Sequence, residues 1–285
     1  MDSDLRYRDI PSAPAFVVPK NACDCHAHVF GDAEAYPLVE NRSYTPHPAP
    51  LRDYVRMLDA LGISRAVLIQ PSIYGLDNSC LLAMLNELGL GRARGIAAIS
   101  EDTTESEIAR LHEGGIRGIR LVSMVKGGAH LEGLERIAAR IAPFNWHIEV
   151  YAPSHAWPEL APRLTKLPTN IVIDHMGRLS PETQSKDPER DAVTAAIEAG
   201  RCWIKLCGYR ASKQGYPYAD VIGLARYFLE LAPELCVWGT DWPHPNMKVY
   251  MPDDGMLLNL LAQWAGDGRI IEQVLVDNPA VLYKF

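Results

Sequence analysis

Eight short apolar runs recur along the chain, and stretches with helical periodicity lie between them. Each run has the length of a buried strand, and none is long enough for a helix that crosses a membrane. The runs cover residues 22–27, 65–70, 94–99, 117–122, 146–151, 170–174, 202–207 and 235–240. Strands that alternate with helices are typical of βαβ units, so this pattern predicts a parallel sheet.

The stretches between the runs have the spacing of amphipathic helices. In 51–61 the apolar residues follow i, i+3, i+4 and i+7 spacing, and Gly62 comes next as a stop signal. In 103–113, Thr104 and Glu107 have the spacing of a capping box. Similar segments cover 77–88, 130–142, 157–166, 188–199 and 218–231.

Eight such units predict a closed (β/α)₈ TIM barrel, which typically takes about 250 residues. The chain has 285 residues and no apparent internal boundary, so we expect residues 1–285 to form a single domain. A doubly wound sheet is the competing architecture, and it would be expected to carry a glycine-rich phosphate turn after its first strand. Here the first strand runs into His26-Ala27-His28 instead. The connection 29–50 is long and predicts an active-site loop.

The charge balance excludes several classes of function. Lys and Arg number 28 against 35 Asp and Glu, a net charge of −7, which disfavours nucleic acid and anionic membranes as partners. The first ten residues lack a secretory signal, and the six cysteines form no C-x-x-C pair. We therefore expect a cytoplasmic protein with buried free thiols. The composition leaves open whether it is a monomer or a homo-oligomer.

Polar and ionisable residues collect at the predicted carboxyl ends of the strands, where barrels of this kind carry their chemistry. They are His26, His28, Gln70, Ser72, Arg120, Tyr151, Asp174, His175, Arg210, Asp241 and His244. No G-x-S-x-G elbow, P-loop, dinucleotide fingerprint or H-E-x-x-H motif occurs, so the corresponding enzyme classes lose their usual support.

Several residues in and beside this set have side chains suited to catalysis or metal binding. Asp24, His26 and His28 alternate, which predicts that they share one face of a strand, where two imidazoles can hold a metal or a substrate oxygen. Asp241 precedes two prolines that stiffen its loop, and it is placed to act as a general base on water. His175 is a candidate hydrogen-bond donor or metal ligand, whereas Asp174 alternates away from it and is expected at most to orient another group.

Three arginines, Arg120, Arg178 and Arg210, fall at or just beyond strand ends in a chain that is acidic overall. A guanidinium binds a carboxylate through two parallel hydrogen bonds. Three of them at one barrel mouth predict an anionic substrate.

The motifs themselves resemble the amidohydrolase superfamily. The similarity lies in DCHAHVFG at 24–31, IDHMGR at 173–178 and GTDWPHPN at 239–246. Within the superfamily, HEGGIRGIR at 112–120 and PDDG at 252–255 resemble the branch of 2-pyrone-4,6-dicarboxylate lactonases and related lactone hydrolases. The resemblance extends from about residue 20 to 283.

This resemblance implies a hydrolase that opens a carboxylated lactone, such as a pyrone dicarboxylate or a muconolactone, in the catabolism of aromatic compounds. It implies that His26, His28 and His175 polarise the lactone carbonyl and that Asp241 activates the attacking water. Lys126 stands where the branch has a further arginine, and the loop around Arg210 is one residue shorter, so the exact substrate stays open and a differently substituted lactone is an alternative. The substrate-binding candidates are Tyr44, Ser72, Arg120, Lys126, Tyr151, Arg178, Arg210 and His244.

Most amidohydrolases hold a divalent metal, but two of its usual ligands are missing here. The end of the fourth strand has no lysine or glutamate, and the fifth ends in Tyr151 where a histidine would be expected. We therefore expect no cofactor. The alternative is zinc held by His26, His28, His175 and Asp241 in a lactonase, lactone isomerase or decarboxylase. A further alternative is a ligand-binding barrel without catalytic activity. Such a protein would need the arginines to bind its ligand, but it would not need Asp241 as a base.

Overall fold

The computed structural model of the chain describes residues 5–182 and 186–285, and strands and helices alternate along them. The strands are β1 (Cys23–Ala27), β2 (Arg65–Ile69), β3 (Ala93–Ala97), β4 (Ile116–Val122), β5 (His147–Tyr151), β6 (Ile171–Ile173), β7 (Cys202–Leu206) and β8 (Cys236–Trp238). The helices are α1 (Leu51–Leu61), α2 (Ser79–Leu88), α3 (Glu105–Glu113), α4 (Leu134–Ile141), α5 (Trp157–Leu164), α6 (Pro188–Glu198), α7 (Ile222–Leu231), α8 (Asp254–Ala265), α9 (Gly268–Glu272) and α10 (Asn278–Tyr283).

The eight strands of the described residues form one parallel sheet in the order β1 to β8. The sheet closes where the chain after β8 meets β1. There Asp241 N–H donates to the carbonyl of His26 (2.8 Å), and His28 N–H donates to the carbonyl of Trp242 (2.7 Å). The predicted (β/α)₈ barrel is therefore confirmed, and the competing doubly wound sheet is wrong. The same closing hydrogen bonds bring His26 of β1 and His28, which follows β1, beside Asp241.

Alternate residues of the strands divide the core into two parts. One set packs against the surrounding helices in the larger cluster. The other set faces the barrel axis and forms a smaller cluster, which Tyr283 of α10 joins at one end of the barrel. Each strand thus buries both faces, as strands of parallel sheets do, and only their carboxyl ends are left for chemistry.

Local signals explain the helix ends that the sequence predicted. α1 ends at Gly62, whose φ of 72° is left-handed, and the Thr104 hydroxyl accepts the Glu107 N–H (3.2 Å) at the start of α3. α8 was not predicted. It begins at the cap residue Asp253, whose carboxylate accepts the first backbone N–H groups of the helix and the N–H of Ser12.

Two further expectations concern the whole chain. The six cysteines are free and buried, as predicted. Within residues 5–182 and 186–285, no helix is long and apolar enough to cross a membrane. The expectation that the first ten residues lack a secretory signal falls partly on residues 1–4, which lie outside the described residues.

Candidate active site

β1 delivers His26 and His28 to the same side of the barrel, but not by simple alternation. Asp24 pairs with Ala66 and Ala27 pairs with Leu68, so β1 has one residue more than β2 over this stretch. Such a β-bulge turns the following side chains to the opposite face. The prediction that Asp24 shares the face of the two histidines is therefore wrong.

The Asp24 carboxylate lies on the outer side of the sheet and has a structural role. It accepts hydrogen bonds from Thr240 N–H (2.9 Å), the Thr240 hydroxyl (2.7 Å) and the Tyr54 hydroxyl (3.0 Å). Burial raises the pKa of Asp24 to about 6, and the Thr240, His26 and Tyr54 donors act in the opposite direction. Asp24 thus ties β1 to α1 and to the residue before Asp241.

Asp241 occupies the centre of the site, just beyond β8. Its backbone is left-handed (φ 63°), and its Oδ2 accepts hydrogen bonds from Arg210 Nε (2.6 Å) and the Tyr209 hydroxyl (2.5 Å). Its Oδ1 lies 3.5 Å from His26 Nε2 and 3.4 Å from His28 Nε2. Burial alone would raise the pKa of Asp241, but the Arg210 guanidinium holds it well below its usual range. Asp241 is therefore ionised, with Oδ1 turned toward the imidazoles.

The two β1 histidines have different neighbours behind their rings. His28 Nδ1 lies 2.9 Å from the carbonyl of Ile69, and a carbonyl only accepts, so Nδ1 carries the proton. In the neutral ring, Nε2 of His28 then presents a lone pair to the site. His26 Nδ1 instead lies 3.2 Å from Lys205 Nζ and 3.5 Å from Asp174 Oδ1. Burial, and next the Lys205 charge, hold the pKa of His26 well below its usual value, so this ring is neutral.

His175 and Asp174 both reach the site because the chain leaves β6 in an unusual conformation. His175, Met176 and Arg178 all have left-handed φ values of 51–52°, which non-glycine residues adopt only at an energetic cost. Strand alternation therefore does not apply, and the expectation that Asp174 points away from His175 is wrong. The ring of His175 lies 4.8 Å from that of His26. Burial lowers the pKa of His175 to about 3, so this imidazole is neutral.

Two of the three predicted arginines lie beside one aromatic ring at this mouth. The Arg120 guanidinium lies 5.1 Å and that of Arg178 5.9 Å from the centre of the Tyr151 ring. Arg178 Nη1 donates to the Tyr151 hydroxyl (3.0 Å), and Arg120 Nε donates to Asp174 Oδ2 (2.8 Å). Arg210 holds Asp241 as described above. Each of the three arginines thus has a partner within the chain and still has guanidinium N–H groups that this partner does not bind.

The remaining candidates lie around this centre with different degrees of contact. The Tyr44 hydroxyl is hydrogen-bonded to Ser72, and burial raises its pKa although Arg120 and Arg210 lie close by. His244 is buried, with Nε2 3.0 Å from Asp254 Oδ1. With Tyr44 it also lines a cavity of about 220 Å³ that reaches the N-terminal segment.

Lys126 differs from the other candidates because its side chain is exposed. Its backbone N–H donates to the Ser43 hydroxyl (2.8 Å), and its ammonium has no hydrogen bond or ion pair within the part of the chain that the structure describes. Lys126 therefore lies in a loop beside the site, and its role in substrate binding stays a prediction.

Sequence reasoning missed three residues of the site, which are Lys205, Glu149 and Tyr209. Lys205 Nζ lies 2.7 Å from Glu149 Oε2 and 3.2 Å from Asp174 Oδ1, and all three side chains are fully buried inside the barrel. Tyr209 binds Asp241. The signal that could have found Lys205 and Glu149 is a single charge in the middle of an apolar strand, in CWIKLC and WHIEVY. A charged side chain in such a run is rarely tolerated without a partner.

His26, His28 and Asp241 lie close enough together to hold a metal ion, since each offers a ligand atom within 4.8 Å of the others. A zinc-binding imidazole normally donates its other N–H to an acceptor, and His28 meets this condition through Ile69. The groups behind the other two are cationic donors: Lys205 lies behind His26, and Arg210 binds Asp241. His28 therefore suits a metal, whereas the cations beside His26 and Asp241 disfavour one, and the expectation of no cofactor stays a prediction.

The histidines, the aspartate and the arginines lie at the carboxyl ends of the strands, where (β/α)₈ barrel enzymes have their active sites. The family model described as Amidohydrolase matches residues 23–285. The chain belongs to the amidohydrolase family, and the resemblance predicted from its motifs is confirmed.

Similar proteins cover almost the whole chain. The 2-pyrone-4,6-dicarboxylate hydrolase of Comamonas testosteroni is 37% identical over 287 residues, covering 96% of this chain and 93% of that protein. The 4-sulfomuconolactone hydrolase of Rhizobium radiobacter is 36% identical, covering 95% and 93%. The crystal structure of a probable 2-pyrone-4,6-dicarboxylic acid hydrolase from Acinetobacter baumannii, with citric acid bound, has a TM-score of 0.81 and 27% identity, covering 93% and 100%.

Proposed function

We propose that this protein, a single domain over residues 1–285, is a hydrolase that opens an anionic lactone without a metal cofactor. The observation that carries the proposal is the position of Asp241. Its free oxygen faces His26 and His28 at 3.4–3.5 Å, while three arginines line the same mouth. The two curated relatives described above are named for the hydrolysis of lactones that bear acidic substituents, which supports the same reaction class.

In this proposal Asp241 Oδ1 is the general base. A water molecule between Asp241 and His28 gives one hydrogen bond to Oδ1 and one to the Nε2 lone pair of His28. As the water oxygen bonds to the lactone carbonyl carbon, its proton passes to Asp241. The carbonyl–ring oxygen bond then breaks, and the ring oxygen takes the proton back from Asp241. The products are a carboxyl group and a hydroxyl or enol group on one open chain.

The histidines His26 and His175 face the carbonyl oxygen in this arrangement. Both are neutral, because burial lowers their pKa values. A neutral imidazole contributes one N–H donor, and a donor fixed in position stabilises the charge that develops on the oxygen. Removing one such donor typically slows an enzyme by about 10²–10³-fold.

The substrate class follows from the cations around the mouth. Arg120, Arg178 and Arg210 bind Asp174, Tyr151 and Asp241, and Arg210 also donates to the Pro245 carbonyl (2.9 Å), but each guanidinium has five N–H groups and keeps some of them for a substrate. A carboxylate or sulfonate on the lactone would take these donors. The related Acinetobacter structure contains citric acid, a polyanion, which is consistent with such a site.

A panel of lactones tests the proposal directly. Ring opening is followed by absorbance for 2-pyrone-4,6-dicarboxylate, muconolactone, 4-sulfomuconolactone and an uncharged lactone of the same ring size. We expect turnover of at least one anionic compound, with kcat/KM at least about 100-fold above that of the uncharged one, since each charge-assisted hydrogen bond contributes about 1.5–3 kcal/mol. Equal turnover of charged and uncharged lactones would contradict the anionic substrate.

The absence of a metal from the mechanism has its own test. Activity is expected to survive prolonged dialysis against a chelator, and active protein is expected to contain far less than one equivalent of divalent metal. Loss of activity on chelation, with recovery on addition of Zn²⁺ or Mn²⁺, would show that the metal-dependent alternative is correct. The lactone panel would remain informative in either case.

A further inference from the structure

The interior of the barrel holds a buried ammonium directly behind the site. Lys205 is fully buried on β7, and Glu149 on β5 and Asp174 after β6 face it from the neighbouring strands. Burial opposes its charge, but the two carboxylates raise the pKa of Lys205 above its usual value. Lys205 is therefore a cation with three N–H donors and no acceptor.

Three groups lie around this ammonium: two carboxylates that form ion pairs with it and one imidazole nitrogen in hydrogen-bond geometry. They are Glu149 Oε2 at 2.7 Å, Asp174 Oδ1 at 3.2 Å and His26 Nδ1 at 3.2 Å. His26 Nδ1 accepts from Lys205 only if it carries no proton itself. In the other tautomer Nδ1 would carry the proton. That N–H would face the Lys205 ammonium, and its acceptor would be Asp174 Oδ1 at 3.5 Å.

We propose that Lys205 is a positioning residue that fixes the tautomer of His26, so that Nδ1 accepts its hydrogen bond and Nε2–H points at the reacting carbonyl. The neighbouring His28 has the opposite tautomer, because its Nδ1–H donates to Ile69. Two imidazoles with ring centres 5.0 Å apart thus present different groups to one site, a donor from His26 and an acceptor from His28. This pairing suits a reaction that must polarise a carbonyl and hold the attacking water at the same time.

The tautomer assignment stands on the geometry of the free protein, whereas its effect on rate rests on the proposed hydrolysis. Without Lys205, His26 is expected to protonate Nδ1 and donate to Asp174 Oδ1. Its Nε2 would then present a lone pair to the developing oxyanion instead of an N–H.

The experiment reads the tautomer without substrate. Protein labelled with ¹⁵N-histidine is compared at one pH by two-bond ¹H–¹⁵N correlation, and the His26 signal is assigned as the one lost in H26Q. K205M alone leaves Glu149 and Asp174 without their cation and risks unfolding. The main variant is therefore K205M/E149Q, which removes one positive and one negative charge together, and E149Q alone is the control that keeps Lys205.

We expect the Nε2–H tautomer in the unmodified protein and in E149Q, and the Nδ1–H tautomer in K205M/E149Q. On the lactone that proves to be the substrate, kcat of K205M/E149Q should fall about 10²-fold relative to E149Q, the loss of one oxyanion donor. KM should change less than about threefold, because Lys205 does not touch substrate. An Nδ1–H tautomer in the unmodified protein, an unchanged tautomer in the variant, or a changed tautomer with unchanged kcat would each overturn the proposal. If no lactone is hydrolysed, the proposed function fails while the NMR result still tests the assignment.

Discussion

Replacing Asp241 by asparagine removes the proposed base while keeping its shape. Arg210 Nε and the Tyr209 hydroxyl both donate to Oδ2, at 2.6 Å and 2.5 Å, so the amide oxygen of D241N must take that position. The amide nitrogen then lies where Oδ1 stood and faces the Nε2 lone pair of His28. The variant therefore keeps its local hydrogen bonds and is expected to fold.

D241N is expected to lose more in catalytic rate than in folding stability. A missing general base slows a reaction by about 10²–10⁴-fold, which raises the barrier by about 3–5 kcal/mol. The stability effect is smaller, because Arg210 keeps a hydrogen bond and loses only its charge assistance, about 1 kcal/mol. For a chain of this length that lowers Tm by about 2–4 °C.

The assay combines turnover of the preferred lactone, substrate binding by calorimetry and thermal melting. D59N is the matched control, because the exposed Asp59 also pairs with an arginine (Arg92, 3.1 Å) but lies at the end of α1 away from the site. D241N should bind substrate with little change in Kd and turn it over at least about 100-fold more slowly, and D59N should retain normal kcat. A kcat for D241N within about threefold of normal would remove Asp241 from the mechanism.

Three further results are expected. R178M should raise KM for carboxylated lactones about tenfold or more, because a charge-assisted hydrogen bond to the substrate is lost. K126M, at an exposed site, should raise KM less. Steady-state kinetics of both variants measure this, and a larger KM for K126M would contradict it. G239A should lower stability by about 1–3 kcal/mol, since a Cβ there would lie 2.5 Å from His26 Cβ, and an unchanged melting curve would refute the close contact. The depressed pKa of Asp241 stabilises the fold above about pH 4 and less as pH falls further, so the stability gap between the unmodified protein and D241N should shrink in acid denaturation below about pH 4.

The barrel and the location of its site could be predicted because both depend on local patterns. Strand length, helical periodicity and stop residues such as Gly62 are properties of consecutive residues, and they indicated eight βα units. The carboxyl ends of parallel strands meet at one mouth, so the sequence positions of His26, Arg120 and Asp241 were enough to place them together.

The direction in which each side chain points was less predictable. Alternation assigns faces only while a strand stays regular. The bulge in β1 sends Asp24 to the outer side, and the left-handed backbone at His175 lets both that residue and Asp174 reach the site. Neither irregularity could be predicted from residue type. Glycine is the usual sequence signal for such a backbone, and it is absent both at the bulge and at position 175.

By itself, the sequence determined the architecture, the family and the set of reactive groups at the barrel mouth. Only the tertiary structure decided which hydrogen-bond partner each group has. Lys205 meets His26 across 179 positions of the chain, and Asp174 meets Arg120 across 54. Such pairs form through closure of the sheet, so no local period records them. They nevertheless set the charge of each group and the tautomer of each imidazole, and through these the chemistry that the site can perform.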